Sequence, residues 1–533
     1  MNPTCLNGEQ AIACGALSCG ISLVTSYPGS PSSGTVETLI GLAKKLNISV
    51  DWSSNERVAV EMGIGASIAG RRALVCTKSV GLNVMVDPLM ALNLTPVNGG
   101  LVILLGDDPG GYGSQNDQDS RPLAASIEMP MMEPASPAEA YAMVQEAFRI
   151  SETFHTAVIV RVTRSFARQE GPVFVTEKPF RKAEIGLVRE PFRFVPVPLN
   201  AVEKHRALHK TIEALDGWAA KSPFNQTTGT GKKGIVGAGF VYKKICDIVG
   251  EELPKDFRLL KLGVLYPLSG SRISNFLRDC QEVLVIEETE PFLEMQIKAI
   301  AHDAACSTRI VGKQNPHIPR EGEVFRWQIQ RALSEFIPGF SPAAEYAEED
   351  EARERPEKEN HCAACRYDEV LDELEKAAKS LGQKPVIIGD PGCLVTVADR
   401  LDAKYALGSA VAVADGLSKA GIKERAVAIF GDSSFFHSAL PAICNAVHDC
   451  SDILMIVLDN KATAASGFQP HPGVGKNAKG EEAPALDIEK IALACGVKNV
   501  FLSDLDESGL KLGETFREAL NTHELALVIV RLV

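Results

Sequence analysis

The chain has 533 residues, too many for one ordinary core and enough for about three domains. A formal net charge of −13 argues against broad nucleic-acid binding, which needs a basic surface, while leaving room for a local phosphate pocket. Its 13 cysteines are an odd number, and Met1–Ile12 shows no basic region followed by an apolar run. They therefore do not read as a disulfide framework, and a cytoplasmic location is expected.

In chain order, Ser22–Thr25 and Leu101–Leu105 predict buried strands, and the Ala- and Gly-rich stretch Glu56–Ala69 predicts a helix able to pack closely. This block closes near Ala157–Val162. A polar loop, Lys221–Lys233, leads into a second unit at Gly234, with strands predicted at Arg258–Leu265 and Glu282–Glu287. Residues Glu345–Asn360 are almost wholly charged and read as a solvated helix or linker. A third block runs from His361 to Val533. Short β-branched runs alternating with helical segments predict an α/β fold of three doubly wound domains. The runs Val102–Leu105, Ile453–Leu458 and Leu525–Val530 are sheet-core length, far below the about 18–20 residues of a membrane helix.

The third block carries the strongest constellation. Ala426–Phe430 is followed at once by Gly431-Asp432-Ser433-Ser434, and Asn460 ends the apolar run Ile453–Asp459. Both polar residues fall at carboxyl ends of predicted parallel strands, where open α/β sheets bind ligands. An acid, an amide oxygen and the nearby carbonyl of Ala462 make a partial shell of hard oxygens suited to Mg²⁺ on a diphosphate. Gly431 is expected to let the backbone turn tightly beneath the phosphates, and Gly467 to serve the same approach from the second loop. Either half alone reads as well as an ordinary strand-to-helix turn capped by Asp. The pair at this spacing favours the metal–diphosphate reading.

GDSSFFHSALPAICNA and IVLDNKATAASGFQPHPG resemble the thiamine-diphosphate motif of the 2-oxoacid:ferredoxin oxidoreductases, and most of all the large subunit of the indolepyruvate enzymes. YPGSPSS (27–33), NERVAVEMGIGASIAG (55–70), VGLNVMVDPLM (80–90), SQNDQDSR (114–121), VLYPL (264–268) and IEETEP (286–291) extend the resemblance, in order, over nearly the whole chain. It implies a pyrimidine-binding domain at 1–185, a transketolase-C-terminal-like domain at 186–340, a linker at 341–360 and a diphosphate-binding domain at 361–533.

The resemblance also implies site residues. Glu56 matches the carboxylate that hydrogen-bonds the cofactor's pyrimidine. Tyr27, Pro28, Gly29, Asp390, Gly431, Asp432, Ser433, Ser434, Asn460, Ala462, Thr463 and Gly467 match cofactor-binding positions, with Asp432, Asn460 and Ala462 on Mg²⁺. His437 and His471 flank the diphosphate loops as candidate acid–base groups, or as satisfied loop histidines. Ser30, Ser32, Ser33, Ser79, Gln115, Asn116 and Arg121 are candidates for orienting a polar substrate, against plain turn roles for the same residues.

The chain departs from the family in three places. It stops at Val533 without the repeated Cys-x-x-Cys-x-x-Cys of a ferredoxin-like domain, so intrinsic relay clusters are expected to be absent. Cys362, Cys365 and Cys393 resemble three of four thiolate positions for a [4Fe-4S] cluster, and a buried thiol pair or a zinc-binding pair is equally open. Lys78-Ser79 stands where relatives show a histidine before Val-Gly. The expected activity is oxidative decarboxylation of an arylpyruvate-like 2-oxoacid to an acyl-CoA. It implies a small gamma-type (beta) partner subunit in a heterotetramer or larger assembly, coenzyme A and an external electron carrier. The alternative is a non-redox carboligase, lyase or decarboxylase on the same cofactor, acting on a 2-oxoacid or 2-hydroxyacyl-CoA.

Overall fold

Runs of Val, Ile and Leu become strands buried on both faces, as required where helices cover both sides of a parallel sheet. Every residue of Leu101–Asp107 and of Ile453–Asp459 is buried. The structure is a computed structural model that describes residues 3–176, 186–250, 253–313, 318–355, 366–505 and 509–532, without the side chain of residue 44. The chain forms two compact units, Met1–Asp51 with Glu56–Lys358, and Trp52–Asn55 with Glu359–Val533.

The first unit holds two large sheets. One has seven strands in the order Val264–Tyr266, Met131–Met132, Val158–Thr163, Leu101–Asp107, Ala73–Lys78, Leu23–Ser26, Ser49–Trp52. Its central pairs are parallel, and Val264–Tyr266 joins antiparallel at the edge. The other has five strands in the order Arg309–Val311, Glu282–Ile286, Lys233–Ala238, Phe257–Leu262, Gln226–Gly229, all parallel except the last. Leu101, Ile103 and Leu105 share one apolar cluster with Val236, Leu260, Val283 and Val285, so the two sheets pack on a common core. Burying each such side chain contributes about 1.5–3 kcal/mol.

The predicted helix appears as α1 (Glu56–Ile68), followed by α2 (Ser79–Leu92). A longer helix, α3 (Ala201–Ala219), precedes the second sheet. The predicted polar loop 221–233 contains one unforeseen element, the fully exposed edge strand Gln226–Gly229. In the charged stretch, Glu348–Asp350 and Glu351–Glu354 are partly exposed helical turns, Glu351 accepting from the Trp327 N–H at 2.9 Å and Glu354 from Arg326 at 2.9 Å, and residues 356–360 lie outside the described residues.

The second unit is one six-stranded, wholly parallel sheet, in the order Ala403–Lys404, Val386–Gly389, Ala426–Gly431, Ile453–Asp459, Ala526–Arg531, Asn499–Asp504. From Val386–Gly389 the chain moves first to one side, then crosses to Ala426–Gly431 on the other. The crevice at the carboxyl ends of these two strands is therefore a topological switch point, the preferred ligand position of doubly wound sheets.

Candidate functional site

The register of the second unit places the predicted pair. Gly431 lies opposite Leu458 on adjacent parallel strands, so Asp432 and Asn460 leave neighbouring carboxyl ends one and two residues further on. Asp432 is buried, and burial pushes its carboxyl pKa up, against the pull of His471. Its Oδ1 accepts the Ser433 N–H at 2.8 Å, and its Oδ2 faces His471 Nε2 at 3.0 Å. Asn460 Oδ1 accepts the Ala462 N–H at 3.2 Å, which curls the loop so that Asn460 and Ala462 stay close. Asn460 Nδ2 donates to the Tyr367 hydroxyl at 3.3 Å.

Gly431 does not serve as expected. Its φ of −78° is ordinary extended backbone that any residue adopts, so the turn does not need glycine. A β-carbon there would meet nothing within 4 Å, and the open space beside the strand end is what the glycine provides. Gly467, at φ +118°, does need to be glycine. It belongs to a loop closed by Thr463 N–H donating to Gln469 O at 3.0 Å. The hydroxyls of Thr463 and Ser409 are buried without a hydrogen-bond partner. Open space, orphaned hydroxyls and a hard-oxygen donor set of acid, amide and carbonyl fit a diphosphate carried by a small divalent cation.

His471 has both ring nitrogens engaged, Nδ1 accepting the Gly473 N–H at 3.1 Å and Nε2 facing Asp432. That arrangement puts the proton on Nε2 and makes His471 a positioning residue for Asp432. The ring also packs on Phe436, with centroids 5.5 Å apart. His437 is buried in the turn after Asp432, its Nδ1 2.7 Å from Ser438 Oγ. Asn55, in the short stretch that clusters with this unit, donates to the His437 carbonyl at 2.8 Å.

Asp390 ends the strand on the other side of the switch point. Its carboxylate accepts the N–H groups of Gly408 at 2.6 Å and Ala410 at 2.9 Å, fixing the start of helix Ala410–Lys419. Burial raises its pKa to about 6, against these backbone bonds, Ser434 and His437. Both its oxygens are spent on shaping the crevice, as is the Ser434 hydroxyl that meets it.

In the first unit, Glu56 opens α1 and is buried, at 6% exposure. Space for its carboxylate comes from Gly81 in α2, where a β-carbon would stand 2.7 Å from Glu56 Oε1. Lys78, at the end of Ala73–Lys78, is a neighbour that the sequence marked as a departure from the family without giving it a role. Its pKa is held below the lysine range by desolvation, opposed by Asp108 and Glu56. A charged residue closing an apolar strand was the available signal. Tyr27, Pro28 and Gly29 are buried, and Gly29 lies against the Lys78 stem.

The substrate candidates separate clearly. Ser32 Oγ donates to Gly29 O at 2.8 Å, and Ser33 Oγ accepts the Gly29 N–H at 2.8 Å, so both hydroxyls hold their own turn. Ser30 is half-buried, Ser79 is buried at the start of α2, and Gln115 and Asn116 are exposed. Gln118, not singled out from sequence, is tied to Asn83 at 2.8 Å and to Ser79 O at 3.2 Å. Arg121 is 1% exposed and neutralised within the unit: it chelates Asp119 and donates to Glu287 at 2.8 Å and Glu290 O at 2.9 Å. Its guanidinium is thus engaged by two carboxylates and a carbonyl of its own unit. Cys393 is half-buried at the start of a helical stretch, Cys393–Arg400, while Cys362 and Cys365 lie outside the described residues.

Two domain families match the chain. Residues 14–184 match the thiamine-diphosphate-binding domain of pyruvate flavodoxin/ferredoxin oxidoreductases, and residues 402–530 match the C-terminal binding domain of thiamine pyrophosphate enzymes. The fold and site thus define a thiamine-diphosphate enzyme. Along its length the chain is 34% identical to indolepyruvate oxidoreductase subunit IorA of Pyrococcus abyssi, covering 99% of this chain and 85% of that one. The same subunit of Methanothermobacter thermautotrophicus is 33% identical over 98% and 85%, and that of Archaeoglobus fulgidus 31% over 99% and 85%. A solved 2-oxoglutarate:ferredoxin oxidoreductase from Magnetococcus marinus superposes with a TM-score of 0.47 at 15% identity over 63% of this chain and 65% of that chain, too distant a likeness to carry an argument. The chain belongs to the indolepyruvate oxidoreductase IorA family.

Proposed function

We propose that this chain is the thiamine-diphosphate-binding subunit of an enzyme that oxidatively decarboxylates an aryl 2-oxoacid to an acyl-CoA. The net reaction converts R–CO–COO⁻ and HS–CoA to R–CO–S–CoA, CO₂, a proton and two electrons, which leave one at a time on an external carrier. When bound, the cofactor supplies the nucleophilic carbon and the electron sink that loss of CO₂ requires. The observation that carries the reading is the placing of Asp432 and Asn460 on adjacent strand ends beside a switch point, in a chain of this family.

In this reading Asp432 Oδ, Asn460 Oδ1 and the Ala462 carbonyl hold Mg²⁺. The hydroxyls of Thr463 and Ser409, buried without a partner, would bind diphosphate oxygens. Glu56, buried with its carboxylate in the gap left by Gly81, would hydrogen-bond the pyrimidine ring of a bound cofactor. His437 is the acid–base candidate that keeps its place, since His471 is occupied with Asp432. Domain boundaries at 185, 340 and 360, a small gamma-type partner subunit, coenzyme A and a cytoplasmic location belong to the same proposal. No helix among the described residues is long and apolar enough to cross a membrane.

A [4Fe-4S] cluster on Cys362, Cys365 and Cys393 with a fourth ligand from elsewhere is part of this proposal and rests on the cysteine spacing. The test is an anaerobic assay of the chain with its partner subunit, using indolepyruvate, coenzyme A, thiamine diphosphate, Mg²⁺ and a viologen acceptor. Equimolar CO₂ and acyl-CoA with two viologens reduced per turnover are expected, together with iron and sulfide in the protein. Release of CO₂ with no acceptor reduced, leaving an aldehyde or a hydroxyketone, would establish the carboligase alternative instead.

A further inference from the structure

Among residues with no part in the proposed cofactor site, the first unit brings two histidines and a carboxylate to one point. His205 and His209 stand four residues apart on α3, a spacing that puts both rings on one face of a helix. The loop after the short helix Arg121–Ser126 carries Glu128 beneath them. His205 Nε2 lies 2.9 Å from Glu128 Oε2, and His209 Nε2 lies 3.1 Å from Glu128 Oε1. One ligand atom from each of the three falls within 4.8 Å of the others.

A tetrahedral zinc ion with bonds of about 2.0–2.2 Å needs ligand atoms about 3.3 Å apart. The two histidine–carboxylate separations are a few tenths of an ångström shorter than this, and one nitrogen of each ring lies within 4.8 Å of the other. The two rings are close but tilted, with centroids 4.3 Å apart and planes inclined at 53°. A divalent cation would give one nitrogen lone pair of each ring and the carboxylate a common partner. Two imidazoles and a carboxylate select a borderline transition cation over Mg²⁺ or Ca²⁺, which take all-oxygen shells.

We propose that Glu128, His205 and His209 form a binding site for one divalent transition cation of the zinc class, with water completing its coordination. The place of the site gives its consequence. From Ala201 to Ala207 no residue of α3 is buried, and the first buried side chain of the helix is Leu208. The front half of α3 therefore has little apolar packing to hold it. A metal bridging it to Glu128 would clip that half to the loop of the seven-stranded sheet. This is a structural role, independent of the cofactor and of the reaction.

The test uses the tag-free, chelator-treated complex with its partner subunit, saturated with thiamine diphosphate and Mg²⁺ and titrated with Zn²⁺ by calorimetry. The His205→Gln/His209→Gln double variant is run beside it. The wild type is expected to take one more equivalent of Zn²⁺ than the variant, with acyl-CoA formation unchanged between them. Co²⁺ in place of Zn²⁺ should give a visible d–d band that the variant lacks. Zinc should also slow amide exchange across residues 201–209 in the wild type alone, a measurement that stands even if the double variant folds poorly. Equal zinc uptake by the two proteins, or exchange across 201–209 indifferent to zinc in the wild type, would overturn the proposal.

Discussion

The hydrogen bond from His471 to Asp432 separates holding a ligand from being one. A group that orients a metal ligand typically changes metal affinity by about 10–100-fold when removed. His471→Ala is therefore expected to raise the Mg²⁺ concentration needed for half-maximal cofactor binding by about that factor, read by fluorescence titration. The saturated rate should change much less. Asp432→Ala, which removes the ligand itself, should abolish Mg²⁺-dependent cofactor binding. Gly431→Val makes a complementary test: its backbone accepts a side chain, so the fold should keep its stability to within about 1 kcal/mol. The isopropyl group would then fill the open space at the strand end, and cofactor affinity should fall steeply. Asp432 and Asn460 were legible because each ends an apolar run, and strand ends are where such sheets bind. The partnership with His471 was not legible, since the two stand 39 positions apart with the helix Leu440–His448 and the strand Ile453–Asp459 between them.

At the level of elements, parallel strands were readable from their apolar runs, and the strand Gln226–Gly229 was not. All four of its residues are exposed, and an edge strand has no apolar face to betray it. The switch point was equally hidden, because strand order does not follow chain order. Asp390 matters only in that context. Its carboxyl binds a proton in the fold up to about pH 6, against an ordinary value of 3.8. Between those values the folded state holds a proton that the unfolded chain has released, so stability falls as pH rises through this window and is level above it. The total change is about 2–3 kcal/mol. Urea unfolding of the cofactor-free protein from pH 4 to pH 7 should show it. Asp390→Asn, which cannot ionise, should lose this component of the slope, so its stability relative to wild type improves with rising pH. A difference that stays constant across the window would show that Asp390 titrates normally.

In the first unit as a whole, two sheets share a core whose polar part is a set of buried ion pairs. Arg161 joins Asp107 at 2.8 Å and Glu133 at 2.6 Å, and Lys244 joins Glu323 at 2.7 Å. Arg121 reaches from the loop of the first sheet to Glu287, which follows the strand Glu282–Ile286 of the second. The two acids of this triad are treated differently. Burial drives both carboxyls up, but the guanidinium chelates Asp119 and brings it down to about 2. Glu287 receives a single N–H from Arg121, with backbone N–H bonds from Leu293 and Glu294, and stays above the ordinary range. Removing the cation leaves two buried acids uncompensated, which typically costs about 3–5 kcal/mol. Arg121→Met is accordingly expected to lower the unfolding midpoint of the first unit by several degrees in a thermal scan. Replacing the whole triad, with Asp119→Leu and Glu287→Leu added, should recover much of that loss, because none of the triad's own charges then remains buried. The Michaelis constant for the 2-oxoacid in folded Arg121→Met should stay within about twofold of wild type, since uniform loss of substrate binding would raise it. A rise of tenfold or more at unchanged stability would instead return Arg121 to the substrate, where its sequence motif first placed it.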